Sequence, residues 1–563
     1  MSEPAARNAG HAVAEELRRH GVTEIFGQDS PEWLYEAIDP DIIRPVTMRD
    51  ERSAGFAADA VARLTRRPAV ACGIHGPGAL NLVTALFEAR AANSPLVALV
   101  SDVETTVRGR GAFQEVDLPA VVAPIVKWAA RPERPEDVAP AVARALRTSM
   151  SGCPGPVLVA LPNDVLGAPV EPARSPRNEP FPAPAGLAPE VAARVAGILA
   201  GARSPVLLLG NGARVAGAGA AAIELAERLA APVTLTAMAR GVILETHPLY
   251  AGVAGFMSDA PGGSGSVANP WLAAADVVLV VGSDLDGATT DGGRLPTPGS
   301  TVIRVDVDAD RLARSPRDQF PIVADARLAL EAVNDALRAA RPESRDLPAV
   351  TRELARQWEG VRAAQAAAAR APGTAVAPAR VYADLRGTLP EDAVVVCDAG
   401  YSSIWALSAL TVGRDVSAIT YGRAAGTLGF GLPGAIGAQV AHPGRRVVAV
   451  VGDGGFGFGW GELETLARER LPVVVIVLNN GCFAYQRLWH DLNDRPPRWL
   501  DFADVRHDRL ASAVGIHGRR VTDPHHLADA LREAFAQDGP ALIDVAVDPE
   551  AMPPFNAVRH LGH

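Results

Sequence analysis

The residues best placed to do chemistry stand at the ends of two apolar runs. Val447-Val448-Ala449-Val450-Val451 leads into Gly452-Asp453-Gly454-Gly455, and Val473-Val474-Val475-Ile476-Val477-Leu478 leads into Asn479-Asn480. The stretch between them reads as a helix over residues 461–470 followed by the second run. In a parallel sheet both run ends then lie on one edge, where open α/β sheets bind ligands. Asp453 offers a carboxylate and Asn480 an amide oxygen, hard ligands suited to Mg²⁺ or Ca²⁺. The glycines let the backbone approach a phosphate, and the start of the following helix favours its charge. Mg²⁺ seldom sits in an all-protein cage, so a diphosphate supplying further oxygens is its natural partner. A lone Gly-Asp-Gly turn is more often structural; the Asn pair at a second strand end makes the ligand reading the stronger one.

The elements that must position these groups fall into three blocks. The first holds the apolar runs Ala69-Val70-Ala71-Cys72-Gly73, Leu96-Val97-Ala98-Leu99-Val100 and Val157-Leu158-Val159-Ala160-Leu161. The middle block holds Val206-Leu207-Leu208-Leu209 and Val277-Val278-Leu279-Val280-Val281, and the last begins with Val394-Val395-Val396-Cys397. Apolar runs of this length, bounded by Gly or Pro and separated by helical stretches, predict parallel sheets covered on both faces. The expected fold class is α/β, with three doubly wound domains and mainly parallel sheets. The expected boundaries are 1–170, 188–340 and 378–550, with a tail at 551–563. Pro172, Pro176, Pro180, Pro182, Pro184 and Pro189 mark the first linker as stiff and extended. The second linker, 339–378, is charged, Ala-rich and partly helical in its pattern. The similar rhythm of the first and last blocks suggests a duplicated architecture with a spacer between.

Composition narrows the function classes. The chain has 563 residues, 48% hydrophobic and 21% charged, enough for several cores. Acidic residues outnumber basic ones 64 to 54, for a net charge of −10, which argues against a nucleic-acid partner. One cation is lysine, Lys127, and every other is arginine. A GxxxxGK[ST] phosphate loop is therefore excluded, and a lysine Schiff base would have to use Lys127. Cys72, Cys153, Cys397 and Cys482 form no CxxC pair, and no HExxH occurs. No basic-then-apolar leader is evident, so a reducing, cytoplasmic setting is expected. Residues 424–444 carry no charge, but their glycines, Pro433 and Pro443 favour a packed loop and helix over a membrane span.

Gly-Asp-Gly, about two dozen residues, then Asn-Asn resembles the diphosphate and metal site of thiamine diphosphate (ThDP) enzymes. The similarity spans nearly the whole chain and is nearest in flavour to the acetolactate synthase-like 2-oxo acid decarboxylases and carboligases. It implies pyrimidine-binding, middle and diphosphate-binding domains in that order. It implies that ThDP contacts Gly452, Asp453, Gly454, Gly455 and Asn480, with Mg²⁺ on Asp453, Asn480 and the Cys482 backbone oxygen. The segment from Met48 to Asp59 is similar to the one around the family's cofactor-activating glutamate, which maps onto Glu51. A carboxyl held at the pyrimidine N1′ favours the imino tautomer, whose N4′ can remove the thiazolium C2 proton. Gly426-Thr427-Leu428-Gly429 resembles the loop that bends the cofactor, with Leu428 as the apolar wedge and the Gly426 carbonyl on the 4′-amino group; the bend brings N4′ near C2. Gly76-Pro77-Gly78 and Phe113-Gln114 are similar to segments around the reacting carbon. Gln114 is either a catalytic amide or a loop residue. Trp489 is either a pocket wall or a packing anchor.

The sequence also departs from the acetolactate synthase pattern. Asp29, His75, Tyr485 and Gln486 replace apolar or small residues at what should be the substrate end. Asp29 and His75 could handle protons on a hydroxyl or carboxylate substrate, or could be a turn residue and a structural histidine. The implied reaction is loss of CO₂ from a 2-oxo acid and ligation of the resulting enamine to an aldehyde or a second 2-oxo acid. The alternatives are a lyase or carboligase of 2-hydroxy ketones or 2-hydroxyacyl-CoA without decarboxylation, and a non-catalytic paralogue. A dehydrogenase is disfavoured, because Gly210-Asn211-Gly212 lacks the third glycine of its fingerprint. FAD in the middle domain stays possible by resemblance. The resemblance further implies a homodimer or homotetramer with the site between subunits, and a tail that could act as a lid.

Overall fold

A computed structural model describes residues 7–171, 181, 183–314, 320–340, 345–371, 373, 375–414 and 416–556. Most of the first linker and the last part of the tail lie outside the described residues. The strands are β1 (Glu24–Gly27), β2 (Arg44–Thr47), β3 (Ala69–Gly73), β4 (Leu96–Asp102), β5 (Trp128–Ala130) and β6 (Val157–Pro162) in the first sheet. The middle sheet holds β7 (Pro205–Leu209), β8 (Val233–Leu235), β9 (Tyr250–Val253), β10 (Val277–Val281), β11 (Thr301–Asp306) and β12 (Phe320–Val323). The third holds β13 (Val394–Cys397), β14 (Ala418–Tyr421), β15 (Val447–Gly452), β16 (Val474–Asn479), β17 (His517–Val521) and β18 (Ala541–Ala546). Each sheet has six strands, and the strand pairs are parallel. The three doubly wound parallel sheets expected from the apolar runs are therefore present. Central strands such as β4, β10 and β16 are buried along their whole length, as two-sided cover by helices requires.

The first sheet runs β2-β1-β3-β4-β6-β5 and the third β14-β13-β15-β16-β18-β17. These are the same order, so the shared rhythm of the two blocks reflects one topology used twice. The two domains pack through equivalent helices, Glu51–Thr65 and Gly431–Ala441, each following the second strand of its sheet. Small residues let these helices meet at backbone distance. A Cβ on Gly437 would lie 2.1 Å from the Ala57 carbonyl oxygen, so this close approach requires glycine. Phe56 and Phe430 add an edge-to-face contact at 5.7 Å. Beside them Arg63 is ion-paired with Asp59 and Glu88 and donates to the Tyr421 carbonyl at 2.6 Å.

The charge-free stretch is the helix Gly431–Ala441 and its preceding loop, and among the described residues no helix is long and apolar enough to cross a membrane. The second linker contains the helix Leu347–Ala369. In the middle domain, a Cβ on Gly210 would meet the Gly282 carbonyl oxygen at 2.1 Å, and one on Gly212 would meet Gly282 Cα at 2.7 Å. Close packing of the turn after β7 against Gly282, just beyond β10, accounts for these glycines, so they give no separate support for a flavin.

Candidate functional site

The carboxyl edge of the third sheet carries a cavity of about 330 Å³. Every strand end that borders it contributes a distinct group. Gly400 and Tyr401 follow β13, and Gly426 and Leu428 follow β14. Asp453 follows β15, and Asn480, Cys482 and Tyr485 follow β16. The cofactor-binding and metal residues read from the sequence, Glu51 apart, are thus gathered around one hollow. Of the Asn pair, Asn480 lines it. Asn479 turns away, donating to Asp544 Oδ1 at 2.9 Å and to the Val505 carbonyl at 3.3 Å.

Asp453 is buried, and one carboxylate oxygen accepts the Gly481 N–H at 2.8 Å. Burial pushes its carboxyl up to about 6, against the pull of the Gly481 and Gly454 N–H groups. A divalent cation would reverse that push, because it supplies the charge that burial removes. Gly426 has φ +75° and Gly429 φ +91°, a left-handed loop that suits glycine. Tyr401, Tyr485 and Phe555 form an aromatic wall, with Tyr485 and Phe555 stacked at 6.4 Å. The described part of the tail therefore packs on the cavity wall. A buried carboxylate beside an amide oxygen, with glycine turns bordering open space, fits a cation-bridged diphosphate.

Sequence reasoning missed Asp398. It is almost fully buried at the end of β13 and accepts the Gly429 N–H at 3.1 Å and the Ala399 N–H at 2.7 Å. Burial pushes its carboxyl up to about 7. A Cβ on Gly455 would lie 2.5 Å from its Oδ2, so Asp398 ties the loop of Leu428 to the Gly-Asp-Gly turn. The signal was an acid closing an otherwise apolar strand. Arg423 was also missed, although it directly precedes the charge-free stretch; its side chain lines the cavity.

A second group of residues stands on the equivalent edge of the first sheet. Glu51 opens its helix behind the N-cap Asp50, is buried, and accepts from Asn81 Nδ2 at 3.1 Å. A Cβ on Gly78 would lie 2.6 Å from Glu51 Oε1, so the Gly76-Pro77-Gly78 turn wraps the carboxylate. Gln114, at φ 62°, lies against Gly76, whose Cβ would meet the Gln114 carbonyl oxygen at 2.6 Å. The His75 N–H donates to Ser101 Oγ at 2.9 Å, and its Nδ1 lies 3.1 Å from the same oxygen. Asp29 is exposed beyond β1. Phe113 is 85% exposed. None of Asp29, Glu51, His75, Phe113 and Gln114 lines the cavity of the third domain. Trp489 does not line it either; Arg495 covers its ring at 5.0 Å.

Three family models match the chain. They are the thiamine pyrophosphate enzyme N-terminal TPP binding domain over residues 7–121, the central domain over 192–333 and the C-terminal TPP binding domain over 398–545. An acetolactate synthase of Arthrospira platensis is 32% identical, covering 95% of this chain and 93% of that protein. A probable acetolactate synthase large subunit of Methanocaldococcus jannaschii is 30% identical over 96% of this chain and 92% of its own length. Among solved structures, a thiamine diphosphate-dependent 4-hydroxybenzoylformate decarboxylase of Rhodococcus jostii RHA1 superposes with a TM-score of 0.80 at 27% identity, covering 96% of this chain and 99% of that one.

Proposed function

Because the chain belongs to the thiamine diphosphate-dependent enzymes, as a carboligase or lyase of the acetolactate synthase-like group, we propose that it is a Mg²⁺-dependent enzyme that decarboxylates a 2-oxo acid and ligates the remaining fragment to an aldehyde or a second 2-oxo acid. The observation that carries this reading is the cavity that gathers Asp453, Asn480, Gly426 and Leu428 on one sheet edge. Asp453, Asn480 and the Cys482 carbonyl would hold the metal and through it the diphosphate. Bound ThDP supplies a nucleophilic carbon and an electron sink. Leu428 would support the bent cofactor from below, and the Gly426 carbonyl would accept from its amino group. Glu51 would hold the proton at the pyrimidine nitrogen. Tyr485 and the aromatic wall would exclude water from the reacting end.

Glu51 sits on the first domain and does not line the cavity of its own chain, which supports a homodimer or larger homo-oligomer in which one copy supplies Glu51 and the other Asp453. Gln114, His75, Asp29 and Phe113 surround the same edge as Glu51 and would approach the substrate from that side. FAD is assigned no step. The domain boundaries proposed are 1–170, 188–340 and 378–550.

The test is incubation with ThDP, Mg²⁺ and a panel of 2-oxo acids and aldehydes, with CO₂ and the product carbon skeletons followed. CO₂ release matched by a ligated product is expected. Cleavage of a 2-hydroxy ketone, with no CO₂ from any 2-oxo acid, would replace this reading with the non-decarboxylating lyase.

A further inference from the structure

A second hollow, of about 360 Å³, opens where the three domains meet, and four arginines line it. Arg63 and Arg66 come from the end of the helix Glu51–Thr65, Arg214 follows β7 and Arg240 follows β8. Among the described residues no carboxylate lines this hollow. None of Asp453, Asn480, Gly210 and Gly282 lines it either, so it is separate from the cofactor cavity and from the turn where the middle sheet would take a dinucleotide. Two of the cations are satisfied from within. Arg63 directs its donors to Asp59, to Glu88 and to the Tyr421 carbonyl. Arg240 directs its own to Glu245, to the Tyr421 hydroxyl and to the Ala406 and Leu410 carbonyls.

The other two arginines have no acid. Arg214 donates from Nε to Asn211 Oδ1 at 3.1 Å and to the Met238 carbonyl at 3.2 Å, and from Nη1 to the Arg63 carbonyl at 2.9 Å. All three acceptors are neutral, and Nη2 makes no hydrogen bond among the described residues. Burial draws this guanidinium down to about 10, and the charges of Arg63 and Arg66 add to the pull. Asp59 acts in the opposite sense, but Arg63 already holds both of its oxygens. Arg66 is exposed, and a Cβ on Gly217 would lie 2.7 Å from its Nη1, so its guanidinium lies over the turn that follows Arg214. Among the described residues neither Arg66 nor Arg214 is ion-paired. Cations that converge on a hollow without a counter-charge call for an anion there. The helix Gly219–Leu229 starts on the same wall, with Gly219 and Ala220 lining it and no side chain capping its first turn. Its positive end adds to the attraction. Donors thus come from three sides: Arg66 of the first domain, Arg214 of the middle domain and this helix start. A phosphoryl group offers three acceptor oxygens in a tetrahedral array, whereas a carboxylate offers two in one plane, so the phosphoryl group is the better match. The volume lies within the range of small-molecule sites.

We propose that this hollow is a phosphoryl-binding site apart from the cofactor cavity, taking free phosphate or the phosphate of a small monoester on Arg66, Arg214 and the start of the helix Gly219–Leu229. Binding there is non-covalent. The anion offsets the repulsion among the arginines and ties the first domain to the middle domain. Because it needs both domains docked, it stabilises the folded protein in step with its occupancy.

The test is calorimetric titration of the ThDP- and Mg²⁺-loaded protein, whose cofactor cavity is already filled, with inorganic phosphate and in a second arm with AMP, at constant ionic strength. Saturable binding of at least one probe, with a Kd below about 1 mM, is expected. The melting temperature is expected to rise with that probe and not with chloride at equal ionic strength. AMP binding tighter by about tenfold or more would support the site with a phosphomonoester as its occupant, and AMP binding equal or weaker would support it with free phosphate. Arg66→Ser, at an exposed position, is expected to weaken binding about tenfold, the loss of one charge-assisted hydrogen bond, while the melting temperature without phosphate stays at or above the wild-type value. Arg214→Met is expected to weaken binding further, but it also removes three bonds within and between domains, so Arg66→Ser carries the decision. The proposal is overturned if neither probe binds the loaded protein saturably, if Arg66→Ser binds as the wild type does, or if phosphate binds only the ThDP-free protein, which would place it at the Asp453 edge. The titration involves no turnover, so its outcome is independent of the reaction proposed above.

Discussion

The first and third domains share one strand order but carry different chemistry at the same edge. At the ends of β15 and β16 stand Asp453 and Asn480, bordering open space. At the ends of the corresponding β3 and β4 stand His75 and Asp102. Asp102 is also a buried carboxylate, but Arg131 is ion-paired with it, and His75 is held by Ser101. One acid faces a cavity and the other already has its counter-ion. Topology therefore supplies the edge, and the presence or absence of an internal ion-pair partner decides whether its acid is left facing open space. The loops after the second strands diverge in the same way. In the first domain that loop presents Glu51, and in the third it presents Arg423, Gly426 and Leu428.

The sharpest way to break this division of labour is to disable each edge in turn. Glu51→Gln should lower kcat by about 10²–10⁴ while ThDP affinity, followed by fluorescence quenching, changes little. Asp453→Ala should instead weaken Mg²⁺-dependent ThDP binding. Mixing the two inactive variants as reassorting dimers should return about one quarter of wild-type activity, because half the dimers are mixed and each restores one of two sites. No recovery would place both edges in one chain's own site.

The next largest effect concerns the neutralised acid. Arg131→Met should cost about 3 kcal/mol in urea unfolding, since it leaves Asp102 buried without a counter-ion. Its ThDP affinity should stay at the wild-type value. A loss of ThDP affinity would show that the first edge also holds the cofactor.

The mildest effect is on pH dependence at the other edge. The Asp453 carboxyl, raised to about 6 by burial, holds a proton below that pH, and Mg²⁺ must displace it. Mg²⁺ affinity measured by titration should fall about tenfold for each pH unit below that point and level off above it. An unchanged affinity down to pH 5 would remove Asp453 from the metal site.

The sequence made the buried strands legible because each is a continuous apolar run. The short edge strands were harder to read. Arg44–Thr47, Trp128–Ala130 and Phe320–Val323 are partly exposed, so no hydrophobic pattern marks them. At the site, the ligand types and their spacing pointed to Asp453 and Asn480 because a strand end fixes its next residue on the edge. Arg423 could not be read that way, and Asp398, although it closes an apolar strand, has no second ligand type at a set spacing to mark it. Their importance lies in what they lack or touch in space: Asp398 bridges two loops distant in sequence, and among the described residues no acid is ion-paired with Arg423. Phe113 and Trp489 show the converse, since segments similar to a family pattern need not reach the cavity of the same chain.

The Arg63–Glu88 pair belongs to the first domain, yet Glu88 receives the Ala424 and Ala425 N–H groups and the Thr427 hydroxyl of the third. The turn that carries Leu428 is thus anchored on one side by a neighbouring domain and on the other by Asp398 of its own. Domain shuffling among relatives is constrained accordingly. A C-terminal portion grafted onto a foreign N-terminal portion would arrive with that turn held by Asp398 alone unless the graft brought a matching carboxylate and its guanidinium companion with it.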